Sequence, residues 1–297
     1  MKMKIQLLHI CYLLGGLASF WLNAQQINYQ QLTENTYSLS GKGGNIGVFI
    51  SDDVVYVIDS QFADMSPSIL QTIASFTTKP IRFLINTHWH GDHVGGNSNF
   101  AAIGSSIIAH QNVYKRLLNR HFDSLGKPKG ALQKNILPKI TFTHQLELQA
   151  DINRPILIFH VENAHTDGDS ILYSSADNVL HMGDVFFNGR YPYIDISSGG
   201  SIDGMIQGIN RALVLCDDAT VIIPGHGPIG TPSDLKEHRN MLVKIRKRIF
   251  NAIQEGKTLS ETQDLSPTKE WDQTHGQHFI QADQLVGAIY KSLQSSL

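Results

Sequence analysis

Cysteine is almost missing from this chain: there are two in 297 residues, Cys11 and Cys216. Cys11 lies within the first two dozen residues. A chain that loses that stretch keeps one thiol and cannot close an internal disulfide. The fold must then be held by its core, and the roughly 270 residues that remain are ample for one large domain. An excess of basic charge is also missing. The formal net charge is −2, from 24 basic and 26 acidic residues; without Lys2 and Lys4 it is 22 against 26, or −4. No basic stripe is left to follow a phosphate backbone, which excludes nucleic acid as the expected partner. Internal repeats and long low-complexity linkers are missing too, so neither a solenoid nor a string of tethered domains is expected.

What is present begins with a leader. Lys2 and Lys4 precede a largely apolar run from Ile5 to Leu22, followed by Asn23-Ala24-Gln25-Gln26. This is the order of a charged n-region, an apolar h-region and a small residue at a cleavage point. Gln6, His9 and the Gly15-Gly16 pair weaken the alternative of a permanent membrane anchor. Residues 1–24 are therefore read as a signal peptide and 25–297 as the exported domain, periplasmic or secreted, with no stable membrane association after cleavage.

The densest chemistry lies in Thr87-His88-Trp89-His90-Gly91-Asp92-His93. Ile81–Asn86 before it reads as a buried strand. Gly95 and Gly96 after it allow a sharp turn or a close backbone approach. The cluster thus leaves a strand end on a loop, where scaffolds present reactive groups. Imidazole and carboxylate together suit zinc and similar divalent ions. Four such groups in six residues fit two neighbouring metals better than one closed tetrahedral site.

His88-x-His90-x-Asp92-His93 resembles the signature of the metallo-β-lactamase superfamily. The resemblance continues in order through His165 in Asn163-Ala164-His165-Thr166-Asp167-Gly168-Asp169, Asp184 in His181-Met182-Gly183-Asp184, and His226 in Pro224-Gly225-His226-Gly227, and covers roughly Tyr37 to Pro232. It implies an α/β (α+β) fold: a four-layer αβ/βα sandwich with two zinc ions per chain along one shared edge. By the family pattern His88, His90 and His165 hold one ion, Asp92, His93 and His226 the other, and Asp184 bridges them. Asp92 and Asp184 are accordingly the candidate catalytic carboxylates. Two such ions share an activated water, so no serine or cysteine nucleophile is needed.

The best-known lactamase branch carries a cysteine where Asp184 stands and often an arginine where His93 stands. The set here is that of glyoxalase II-like thioesterases, lactonases and phosphodiesterases. His181 to Gly204 also resembles an exported branch sometimes associated with quinoprotein systems. The resemblance therefore implies an exported dinuclear zinc hydrolase of a small ester, lactone, thioester or lactam. A β-lactamase is the alternative, and a non-hydrolytic metal or redox protein on the same fold is the alternative of a different class. Oligomeric state is not legible.

The remaining elements follow in order. Thr36–Leu39, Ile46–Ile50 and Val54–Ile58 read as an antiparallel meander. Asp59 ends its third strand, as an ordinary strand-end cap or, by the resemblance, as a carboxylate behind the metal ligands. Ser66 to Phe76 reads as a helix capped by Ser66 with Pro67 in its first turn. Ser106–Ala109 reads as a strand, residues 111–121 as a helix, and residues 123–131 as a connecting loop or a lid. Ile140–His144, Ile156–Val161, Ser170–Ser174, Val179–Met182 and Ala219–Ile223 read as strands, with a helix over Ile202–Leu215. Thr231-Pro232-Ser233-Asp234 opens the longest helix with a capping box, whose basic outer side is a solvated face. Phe279, Leu285, Ile289 and Leu293 recur at helical spacing near the C-terminus.

Arg190, six residues past Asp184, is the candidate for a substrate carboxylate. Tyr191 and Tyr193 either line the pocket, donate hydrogen bonds to a developing oxyanion, or pack. His181 is expected to point away from the metals. His110, His121, His144, His160, His238, His275 and His278 fit no ligand motif and are read as structural or surface. Cys216 is read as a core thiol.

Overall fold

Two β-sheets face each other, and alternation along their strands explains why. The computed structural model describes residues 26–120 and 134–294. The leader 1–24 and the segment 123–131 lie outside the described residues. The first sheet has seven strands in chain order: β1 Asn28–Gln31, β2 Thr36–Ser40, β3 Ile46–Ile50, β4 Val55–Ile58, β5 Ile81–Asn86, β6 Ser106–His110 and β7 Ile140–Phe142. Pairing is antiparallel from β1 to β4 and parallel from β4 to β7. The second sheet has five: β8 Gln145–Asp151, β9 Arg154–His160, β10 Ser170–Ser174, β11 Val179–His181 and β12 Val221–Ile223, in the order β12-β11-β10-β9-β8.

Successive residues on a strand face opposite sides. Phe49, Tyr56, Ile58, Ile85 and Ile108 of the first sheet meet Ile156, Ile158, Leu172, Val179 and Ile223 of the second in one buried cluster. Their neighbours Val48, Val57, Leu84 and Ile107 turn to the outer face, where Ile69 and Ile73 of helix α1 (Ser66–Phe76) and Phe100 cover them. On the other outer face, Phe159, Ile171, Leu180 and Ile222 pack on α-helical residues described below, among them Met205, Leu242 and Leu285. The strands are apolar on both faces because both faces are covered, and the result is the four-layer sandwich expected.

Helices α2 (Gly91–Val94), α3 (Asn97–Ala102) and α4 (Gln111–Asn119) follow the first sheet's parallel strands. Helices α5 (Ile202–Leu213), α6 (Pro232–Gln254), α7 (Leu259–Asp264), α8 (Asp272–His275) and α9 (Ala282–Gln294) cover the second sheet or extend beyond it. Among the described residues no helix is long and apolar enough to cross a membrane. The capping box of α6 forms as expected: Thr231 Oγ1 accepts from Asp234 N at 3.3 Å and Asp234 Oδ2 from Thr231 N at 2.8 Å. Lys236, Lys244, Lys247 and Arg248 on its outer side are exposed.

Several expectations are corrected. Ser66 does not cap α1: Met65 holds the cap position, and Ser66 is the first helical residue with Pro67 behind it. Gly95 and Gly96 do not make a sharp turn. Both are right-handed helical, and what they permit is close approach, since a side chain there would meet Gln61 O at 2.9 Å or Ser60 O at 2.6 Å. Phe279 is not part of the last helix, which starts at Ala282, and the residue is 82% exposed. Strand β8 was missed. Its Leu146, Leu148 and Ala150 alternate with polar residues, the signature of an edge strand, but with little β-branched content to announce it. Cys216 is partly buried at the margin of the core and its Sγ contacts Ala212 O at 3.4 Å.

Candidate metal centre

Four strand ends deliver the site. His88, His90, Asp92 and His93 follow β5, His165 follows β9, Asp184 follows β11 and His226 follows β12. The structure brings all seven together in two groups. One is His88, His90, His165 and Asp184; the other is Asp92, His93 and His226. Within each the ligand-type atoms lie within 4.8 Å of one another.

Four of the five histidines are held by one ring nitrogen and present the other to the centre. Thr87 Oγ1 lies 3.1 Å from His88 Nδ1. Asp195 Oδ2 lies 3.0 Å from His90 Nε2. Asp59 Oδ2 lies 2.7 Å from His93 Nδ1. The Tyr193 carbonyl lies 2.7 Å from His165 Nδ1. The inward atoms are therefore His88 Nε2, His90 Nδ1, His93 Nε2 and His165 Nε2. Such outer partners fix tautomer and ring direction in metal-binding histidines. His226 is positioned differently, with its ring stacked on Phe187 at 5.3 Å and 15°.

Asp184 stands between the groups. Its Oδ2 lies 3.5 Å from His165 Nε2 and 3.5 Å from His226 Nε2, and its Oδ1 lies 3.1 Å from His93 Nε2. The approach needs two glycines. A methyl at Gly225 would overlap Asp184 Oδ1, and one at Gly44 would overlap the His93 ring.

The site demands positive charge. Burial by itself would raise the Asp184 carboxyl, but His93, His226 and His88 outweigh it and hold it well below the usual range. Burial lowers His226, yet Asp184 and Asp92 lift it to about 9. Burial dominates at His165, which falls to about 4, and at His88, which falls well below normal. Buried His88 Nε2 has no hydrogen-bond partner, and Asp184 Oδ1 meets only the inward ring nitrogen of His93, at 3.1 Å. Orphaned buried polar atoms facing one point are costly in a protein unless a cation joins them. The donor set, imidazole nitrogens with carboxylate oxygens, fits divalent metal.

Asp59 is buried completely and does more than end a strand. Its Oδ1 accepts from Thr87 N at 2.8 Å and its Oδ2 from Thr87 Oγ1 at 2.7 Å, in addition to the His93 contact. Its backbone is left-handed, with φ 64°, a strained setting for a non-glycine residue. Asp195 was missed by sequence reading. It carries no motif, and only the fold of the loop after Tyr193 places it on His90. Burial would raise its carboxyl, but Ser197, Ser198 and His90 bring it down to about 2.

The cavity over the centre has a volume of about 360 Å³ and is lined by His90, Asp92, Asp184 and His226 together with Arg190, Tyr191 and Tyr193. Tyr191 is corrected as an oxyanion donor. Its hydroxyl is committed to Asp272 Oδ1 at 2.8 Å and Thr268 O at 3.1 Å, leaving only its ring at the wall. Tyr193 stays half-open, its ring 5.8 Å from that of His90. His181 is buried and joins neither group, as expected; its Nδ1 accepts from Gly183 N at 3.2 Å. His110 and His160 stack on each other at 3.7 Å, away from the metal groups, and His238 is buried in α6. His278, read as structural or surface, is exposed and also lines the cavity.

The family model described as the metallo-beta-lactamase superfamily matches residues 39–246. The metallo-beta-lactamase type 2 of Bacteroides fragilis is 22% identical over 231 residues, 74% of this chain and 86% of that protein. The probable metallo-hydrolase YqgX of Bacillus subtilis (strain 168) is 26% identical over 189 residues, covering 62% and 85%. The hydroxyacylglutathione hydrolase of a Polaromonas species is 28% identical over 160 residues, 52% of this chain and 53% of that one. Among solved structures, the metallo-beta-lactamase from Pontibacter korlensis superposes with a TM-score of 0.62 at 16% identity, over 73% of this chain and 99% of that one. The DIM-1 metallo-beta-lactamase gives 0.60 at 18%, over 73% and 97%. With that match across most of the chain, and with two His/Asp groups in place at the strand ends, the protein belongs to the metallo-beta-lactamase superfamily and is one of its metal-dependent hydrolases.

Proposed function

We propose that this chain is an exported hydrolase that uses two zinc ions to cut a carbonyl-type acyl bond in a small ester, lactone or thioester. The observation that carries the reading is Asp184, whose two oxygens reach both ligand groups. His88, His90 and His165 would hold one ion, Asp92, His93 and His226 the other, with Asp184 between them. Bound there, the ions would supply Lewis-acid activation of a water and of the substrate carbonyl.

The chain's own groups supply the rest. Burial works against the charged form of Asp92, but His226 and His93 lower its carboxyl, so it is ionised at neutral pH. It lines the cavity, where one oxygen can take the proton of the attacking water. The new carbon–oxygen bond forms as the acyl bond breaks, and that proton passes to the departing oxygen, sulfur or nitrogen. Arg190 faces the same cavity and its Nε is buried without a partner, so a substrate carboxylate would satisfy it. Export rests on the leader 1–24.

A β-lactamase is the second reading, favoured by the Bacteroides fragilis relative. Against it stands an aspartate at 184 in place of the cysteine of the best-known lactamase branch. The deciding experiment is a turnover panel with zinc-loaded protein from Gln25 onward, with and without chelator. It holds a penicillin, a carbapenem, an ester, a lactone and a thioester. Zinc near two per chain, with ester, lactone or thioester turnover that chelator abolishes, is the expected result. Lactams turned over fastest, at about 10⁴ M⁻¹s⁻¹ or more, would make it a lactamase. Iron with charge-transfer colour and no hydrolysis would overturn the hydrolytic reading.

A further inference from the structure

The family match ends at residue 246, yet residues beyond it reach the metal cavity. After α8 the chain turns back, and His278, Phe279 and Ile280 line the same cavity as the ligand groups. This segment is anchored on both sides of Phe279. Ile280 is buried in the main core cluster. Tyr191 binds the preceding turn through its hydroxyl to Asp272 and Thr268, and its backbone N–H donates to His275 O at 3.1 Å. A methyl at Gly276 would already touch the Tyr191 ring, at 3.1 Å. The backbone is therefore held while the Phe279 side chain lies at the cavity, the residue being 82% exposed.

That ring is not alone. It meets Tyr193 edge to face, with centroids 6.2 Å apart at 80°. Tyr193 in turn lies 5.6 Å from the His165 ring, and Phe62 and Phe187 complete the lining. An anchored, exposed aromatic ring continuous with an apolar cavity wall leaves apolar surface in water that a ligand would remove. The cavity's size is that of a small-molecule site, Arg190 is the one arginine or lysine among its lining residues, and the buried Nε of that side chain has no hydrogen-bond partner.

Resting on the hydrolase reading above, we propose that Phe279 and Tyr193 form a specificity wall. It selects acyl substrates with an aryl group beside the scissile carbonyl, and Arg190 receives their carboxylate. The segment that sets the substrate thus lies outside the part of the chain that sets the chemistry.

The test compares zinc-loaded wild type and Phe279→Ala on a matched pair of thioesters, phenylacetyl and acetyl. The expected result is a roughly tenfold fall in kcat/KM for the phenylacetyl substrate, carried by KM, as loss of one aromatic contact and its buried area implies. The acetyl substrate, which lacks the aryl group, should lose much less. Equal losses on both substrates, or no loss on the phenylacetyl one, overturn the proposal. If wild type cleaves neither thioester, the hydrolase reading is judged by the ester and lactone arms of the panel above, and the wall by calorimetric binding of phenylacetate. Roughly tenfold weaker binding in the variant upholds it, and equal binding overturns it. Because the ring is exposed, the variant should melt with wild type.

Discussion

Asp59→Asn isolates how the outer partners control the metal groups. The Asp59 carboxylate accepts three hydrogen bonds, from Thr87 N, Thr87 Oγ1 and His93 Nδ1, at 2.8, 2.7 and 2.7 Å. An asparagine has one accepting oxygen and one donating amide, so it can satisfy only part of this set. With its oxygen towards His93, the amide faces the Thr87 N–H, donor against donor. With its oxygen towards Thr87 N, the amide faces His93 Nδ1, and the ring must move its proton to Nε2, the atom that points at Asp184. The first arrangement costs stability and the second costs metal binding. Each lost charge-assisted bond is worth about 1.5–3 kcal/mol, and an outer-partner loss weakens metal binding about 10–100-fold. Urea unfolding of chelated protein and competition of zinc against a chromogenic chelator read the two quantities separately. The expected result is a clear loss in at least one, with the His93 group weakened more than the other. A variant with unchanged unfolding free energy and zinc affinity would refute the argument that Asp59 sets the His93 tautomer.

Three other outcomes follow from the same structure. Asp195→Asn should weaken zinc roughly 10–100-fold at the His88–His90–His165 group while sparing the other, read by stepwise zinc titration; equal weakening of both would contradict the contact at His90. His238 is buried, with its pKa lowered to about 3 by burial and, secondarily, by His275; Asp234, Glu237 and His275 share its pocket. Its folded pKa lies below the unfolded value of 6.5, so the unfolded chain takes up a proton first and stability falls as pH drops through 6.5. By pH 5 the loss is about 2 kcal/mol. Chemical denaturation should show this loss shrinking in His238→Gln, and an identical pH slope in the variant would be evidence against it. Thr231→Ala removes the α6 capping box and should cost about 1 kcal/mol in the same assay, with an unchanged midpoint the contrary result.

The sequence determined the ligands. Thr87 to His93, His165, Asp184 and His226 were legible because metal chemistry restricts the residue types and because short buried strands precede each group. It determined most strands as well, since both-face burial writes a continuous apolar run, and it determined the start of α6, since a capping box is local. The edge strand β8 and the true cap of α1 were less legible, because alternation with few β-branched residues and a serine beside a proline are weak local signals. What surrounds the ligands was decided only by tertiary structure. Asp195 reaches His90 across 105 positions and Tyr193 O reaches His165 across 28. The helical spacing that joined Phe279 to Leu285, Ile289 and Leu293 gave way to a turn that sets its ring at the metal cavity. Hydrogen bonds to buried histidines and rings at a cavity mouth depend on where separate loops meet, and no local periodicity records that meeting.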